Sequence, residues 1–253
     1  MANPVPQSRQ SIALISVLSI WLQGCESRQE PSVWFPLLEG KQWVYQETRL
    51  RAGEKSVARL EVESRALPDF EQAAFARNGF APEQVYVRHT SSGTDYYLAV
   101  FPEGIQRVAK RVIIESRARF DNTPRLVLPD AVDLGVGATW EVETQPYVLA
   151  STAAHIPWLP EANRFSLMYE IVDMDATVET VAGRFEHCIH VQAQAKISFY
   201  ADPRLGYQDI QITQSEWYAK DVGLVKLVRE EPLDLEMYQG GTLTLELISH
   251  HQH

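Results

Sequence analysis

Cys188 stands between His187 and His190, a set that could supply an imidazole-activated thiolate or three ligands for a soft divalent metal. Successive side chains alternate along a strand, so Cys188 and His190 share one face while His187 points to the other, and a three-ligand site does not close. No second ligand cluster at zinc-like spacing accompanies the set, which reads as a small, half-buried strand cysteine between two unrelated histidines. His250, His251 and His253 could chelate copper, nickel or zinc through neutral imidazoles. They read instead as a frayed His-rich tail, 250–253, without the second layer of hydrogen bonds that orders a metal site. Asp173, Asp175 and Glu179 could pair as general acid and base, but in a chain with 33 acidic and 23 basic residues they read as a solvated strand face. No Gly-x-Ser-x-Gly elbow, His-Glu-x-x-His helix, phosphate-cradling glycine loop or dinucleotide fingerprint occurs. The residues predict no catalytic site, metal or cofactor, and hence a protein that is not an enzyme.

Cys25 carries a different chemistry. Arg9 and the amino terminus give a positive start, Ile12 to Leu22 form an 11-residue run, apolar apart from Ser16 and Ser19, and the small residue Gly24 stands just before Cys25. That run is roughly half of the ~20 residues a membrane-spanning helix needs, so it reads as a cleaved export signal rather than a permanent anchor. Leu22-Gln23-Gly24-Cys25 resembles the lipobox of bacterial lipoproteins. The resemblance implies cleavage before Cys25 and lipid attachment at Cys25, and Glu26 after the cysteine implies transfer to the outer membrane, facing the periplasm. Two acyl chains already hold a protein on a bilayer stably, and a triacylated cysteine carries three.

Removing residues 1–24 leaves 229 residues with 22 basic against 33 acidic side chains, a net charge of −11. Such a surface repels nucleic acid and offers anionic headgroups no basic patch. The expected partners are therefore the membrane, through acylated Cys25, and envelope proteins. With Cys25 acylated, Cys188 has no partner and no internal disulfide is expected.

The elements that must carry these residues are mostly strands. Residues 25–36, with Pro31 and Pro36, read as a tether, and 37–249 as one β domain. Gln42 to Arg51 and Ser56 to Ser64 form a hairpin around Ala52-Gly53-Glu54-Lys55, and Asp69 to Asn78 has the spacing of a short helix. Further strands are predicted at Gln84 to His89, Thr94 to Val100, Ile105 to Ser116, Thr139 to Thr144, Phe165 to Asp173 and Ala176 to Val181. Phe185 to Phe199 alternates most clearly, with Ile189, Val191, Ala193, Ala195 and Ile197 on the core face. Gln208 to Ala219 and Gly223 to Arg229 follow, and a last hairpin joins Leu233 to Tyr238 with Thr242 to Ser249 through Gly240-Gly241. The fold class is mainly β: antiparallel strands in a sandwich or curved half-barrel, with one or two short helices.

An internal echo divides the domain into similar halves, about 37–129 and 130–249, meeting near Pro124 to Asp130. Gly40 lies three residues before Trp43, and Gly137 three before Trp140. Tyr96-Tyr97 followed by Gly104-Ile105 is matched by Trp217-Tyr218 followed by Gly223-Leu224. Trp43, Trp140 and Trp217 are accordingly expected in the core. Gly40-x-x-Trp43-x-Tyr45, the run Val181 to Val191 and the run Glu216 to Lys226 resemble a group of bacterial, often lipidated β proteins of unknown function. The resemblance implies a β fold and supplies no catalytic residues. The expected function is a non-catalytic, membrane-tethered binding or assembly module of the cell envelope; the alternative is a periplasmic carrier of an acyl chain or other apolar ligand. A continuous apolar cavity would favour the carrier, and a side-chain-filled interior the platform.

Overall fold

A computed structural model describes residues 33–130, 133–151, 164–235 and 238–252; the segment read as an export signal, Cys25 and most of the expected tether lie outside these. The first half runs as β1 (Lys41–Arg51), β2 (Glu54–Ala66), α1 (Asp69–Arg77), β3 (Val85–Thr90), β4 (Thr94–Phe101), β5 (Gly104–Val112) and β6 (Arg119–Pro129). The second runs as β7 (Thr139–Thr144), the short β8 (Ala150–Ser151), β9 (Phe165–Thr180), β10 (Gly183–Asp202), β11 (Gly206–Ala219), β12 (Gly223–Asp234) and β13 (Tyr238–Gln252). All pair antiparallel in one sheet of order β6-β5-β4-β3-β2-β1-β13-β12-β11-β10-β9-β7, with β8 on β13. The fold is mainly β, as expected, and of the two arrangements it is the curved one. Strands from β1 to β6 and β12 to β13 line a single interior space, and the edge strands β6 and β7 face each other across a smaller gap.

The expected first hairpin forms with Ala52 and Gly53 at φ 52° and 78°, the left-handed pair a tight two-residue turn requires. Helix α1 forms where its spacing predicts and buries Phe75 against Val85, Val87, Tyr97 and Ala99. On β3 and β4 those odd positions alternate with Arg88, Thr90 and Tyr96, which line the interior, so α1 covers the outer face of the sheet.

Several expectations need correction. The joint placed near Pro124 is a strand, β6; it lies at the sheet edge, and Pro124 falls where the pairing with β5 slips between Arg107 and Ala109. Proline has no N–H to give a ladder, and an edge bulge asks for none. The two strands expected over Phe165 to Val181 are one, β9, which ends at Thr180. The irregularity that suggested a break is absorbed by register shifts opposite Cys188 and His190, with His187 at φ 56°. Gly240 and Gly241 are not a turn but lie within β13, where a Cβ would come 1.7 Å from the Glu231 carbonyl oxygen and 1.9 Å from that of Leu50. The glycines let three strands approach there. The His-rich segment is not loose up to Gln252, for His250 and His251 pair with Trp43 and Gln42. Trp43 and Trp140 are buried, but Trp217 is only partly so.

The core forms the floor of the interior. Phe35 and Leu37, just before β1, are buried with Leu98, Ile105, Leu128, Trp140 and Ile171. Counting β7 and β9–β13 against β1–β6, each half contributes six long strands in succession, and the echoed segments fall at equivalent places, on β4–β5 and β11–β12.

Candidate ligand-binding cavity

The site-bearing residues read from the sequence separate in space. Cys188 is fully buried, not half-buried, among Ala176, Val178, Ala219 and Val225. Burial pushes its thiol up to about 11, so it is a packing group and not a nucleophile. His187 is exposed, its Nδ1 2.5 Å from Asp175 Oδ1, while the His190 ring stacks on Trp217 at 4.4 Å. Among the described residues no group of three His, Cys, Asp or Glu could hold a metal. Cys25 and His253 lie outside the described residues.

The site the sequence did not announce is a cavity of about 1030 Å³ inside the curl of the sheet. One wall is apolar: Leu60 and Val62 of β2, Leu243 and Leu245 of β13, and Tyr45 of β1. These come from alternate positions of adjacent strands, and the register places Tyr45 opposite both Leu60 and Leu247. The facing wall, from β5 and β6, is cationic: Arg107, Lys110, Arg119 and Arg125. Arg88 joins at the floor, with Arg49 and Arg164 at the rim of the 144–147 loop, whereas Glu47 and Asp121 are the two lining carboxylates.

These charges are unevenly paired. Arg49 Nε donates to Glu47 at 2.6 Å, and Arg164 pairs with Glu143 at 2.7 Å. Arg107 grips Asp121 with two hydrogen bonds of 2.8 and 2.9 Å, leaving Arg125 to share the same carboxylate at 3.8 Å. Arg119 has Glu115 at 3.9 Å. Lys110 has no ion pair among the described residues; its Nζ sits 5.9 Å from the Tyr96 ring centroid. Burial and then the neighbouring Arg107 and Arg119 pull its pKa below the usual lysine value. Arg88 is buried between the Phe35 and Trp43 rings, 4.0 and 4.2 Å from their centroids, and donates to the Pro36 carbonyl at 2.9 Å. Desolvation lowers its pKa to about 10.

A second polar layer holds the 144–149 loop over the cavity. Buried Glu231 accepts the backbone N–H groups of Tyr147, Val148 and Leu149 at 2.8, 2.7 and 2.7 Å, and Arg229 Nε at 2.6 Å. Arg229 also donates to Gln214 and to the Gln145 carbonyl, and its guanidinium lies 4.1 Å from the Tyr147 ring centroid. Tyr147 is held there with its carbonyl accepting from Arg49, and it faces the cavity. Glu216, below, accepts from the Tyr218 hydroxyl and the Gln214 amide; burial raises its pKa.

Sequence reasoning missed this site because its lining comes one or two residues at a time from many strands. The one available signal was the arginine and lysine density of β5 and β6 in an otherwise acidic chain.

No family model and no curated protein matches the chain. Similar solved structures include a candidate lipoprotein from Parabacteroides distasonis ATCC 8503, 15% identical, with a TM-score of 0.39 over 88% of this chain and 100% of that one. Another is a candidate exported protein with a YmcC-like fold from Bacteroides fragilis NCTC 9343, 14% identical, with a TM-score of 0.39 over 86% of this chain and 98% of that one. At these values neither likeness carries a fold or a function over to this chain.

Proposed function

We propose that the chain is a non-catalytic, acyl-tethered binding module of the bacterial cell envelope, anchored through Cys25 in the outer membrane and binding a small ligand inside its curled sheet. The observation that carries this reading is the cavity of about 1030 Å³, lined from nine strands and the 145–147 loop. Its volume is at the upper end of the range that small-molecule sites occupy. The tether rests on Leu22-Gln23-Gly24-Cys25 and its resemblance to a lipobox. A carrier of a wholly apolar ligand fits less well, because desolvating Lys110 and Arg125 against an alkyl chain has nothing to offset it.

Two measurements test the two parts. Intact-mass analysis of membrane-extracted protein should show loss of residues 1–24 and gain of the acyl mass, and Cys25→Ser should move the protein out of the membrane fraction. Native mass spectrometry of that Cys25→Ser protein should show a bound small molecule whose loading falls in Leu60→Trp, which sets an indole across the apolar wall. Retention of Cys25→Ser in the membrane would end the tether reading, and identical ligand loading of the Leu60→Trp protein would end the cavity reading.

A further inference from the structure

We infer that the cavity selects an anionic amphiphile: a carboxylate or phosphate group held at Lys110 and Arg125, and an apolar body laid against Leu60, Val62, Leu243 and Leu245. This rests on the cavity being a binding site and names the class of its ligand. The molecule as a whole carries a net charge of −10, yet the cavity lining has seven cationic side chains and two carboxylates. A chain with an excess of acid that gathers arginine and lysine onto one interior wall concentrates a field of opposite sign where a ligand enters, and low-dielectric walls focus it.

The pairing pattern says which cations are left for a ligand. Arg49 and Arg164 are each satisfied by a carboxylate at 2.6 and 2.7 Å, and Arg107 by both oxygens of Asp121. Arg125 has only the more distant share of Asp121 at 3.8 Å, and Lys110 makes no ion pair among the described residues, with Glu115 acting on it only from a distance. Both line the cavity, so a ligand acid placed between them gains charge-assisted hydrogen bonds at the expense of no ion pair closer than the 3.8 Å contact of Arg125 with Asp121. Opposite them the leucine and valine side chains of β2 and β13 offer apolar surface that only a nonpolar group covers favourably. An inorganic anion would use the first wall and leave the second wet; a neutral lipid would do the reverse. A ligand with both parts uses both.

The test is a displacement assay on full-length Cys25→Ser protein with anilinonaphthalene sulfonate and its neutral analogue phenylnaphthylamine as fluorescent probes, and with laurate, monododecyl phosphate and dodecyl maltoside as competitors. The sulfonate probe is expected to bind about tenfold or more tightly than the neutral one, and Lys110→Gln and Arg125→Gln should each weaken it by about tenfold, the worth of a charged hydrogen bond, while leaving phenylnaphthylamine unchanged. Raising the salt should weaken the anionic probe alone. Displacement by laurate identifies a carboxylate ligand class and displacement by the dodecyl phosphate a phosphate class; either supports the inference. Equal displacement by dodecyl maltoside with both variants silent overturns the anion inference while leaving a binding cavity. Failure of every probe to bind, in wild type and Leu60→Trp alike, overturns the binding-module reading itself. Lys110 makes no ion pair, so Lys110→Gln is expected to fold, which a matching circular dichroism melt verifies.

Discussion

Arg229 and Glu231 are both fully buried, and two charges withdrawn from water are tolerated only where their remaining hydrogen-bonding capacity is filled. Here it is, by three consecutive backbone N–H groups, Gln214 and the Gln145 carbonyl, so the pair acts as the clasp of the 144–149 loop. Glu231→Leu should cost about 3–5 kcal/mol in urea unfolding, because it leaves the guanidinium uncompensated as well as three donors unpaired. Arg229→Met together with Glu231→Leu should cost less than the sum of the single changes. Cys188 gives a second residue-level expectation. With its thiol pushed up to about 11, native protein at pH 8 should resist alkylation that proceeds at once in urea. The folded pKa lies above the unfolded value near 8.5, so this group's stabilisation is full below about pH 8.5 and is lost as pH rises toward 11. A fall in stability confined to that window, absent from Cys188→Ala, is the check.

Among the elements, β1 and β13 form the joint between the halves, and their contact is set by two features of opposite size. Gly241 admits the Leu50 carbonyl so closely that a Cβ would lie 1.9 Å from it. Gly241→Ala should therefore part the strands and lower stability by about 1–3 kcal/mol, as overpacking does. At the other end of β1, Trp43 is fully buried and donates its indole N–H to the Val222 carbonyl at 2.6 Å, so Trp43→Ala should cost about 3–5 kcal/mol in the same urea titration. The strands themselves were legible where the period-two pattern was unbroken, as in β2 and β7, and also in β1 and β4, whose bulges did not hide their β-branched and aromatic residues. Legibility failed where a residue type has two uses. Glycine at 240–241 marks close approach rather than a turn, and Pro124 marks a bulged edge rather than a boundary. His187, which ordinary alternation would place within a regular strand, takes a left-handed φ of 56° and puts Cys188 into the core.

At the scale of the whole molecule, composition indicated an acidic surface and little else about function, because net charge sums over inside and outside alike. The curl of the sheet sorts those charges, turning four cations of β5 and β6 inward, and no local window of sequence records which face a strand will present once its neighbours close around it. The same closure gives the amino-terminal segment a mechanical role. The Val33 carbonyl accepts from the Asp221 N–H at 2.7 Å, the Pro36 carbonyl accepts from Arg88, and Phe35 and Leu37 are embedded in the floor. A pull arriving along the chain from residue 33 would thus load the Asp221 turn and the Arg88 clamp before it reached the β1 ladder. In single-molecule pulling from the amino terminus, extraction of residues 33–37 should precede rupture of the sheet, and Arg88→Ala should lower the force of that first event while sparing the second.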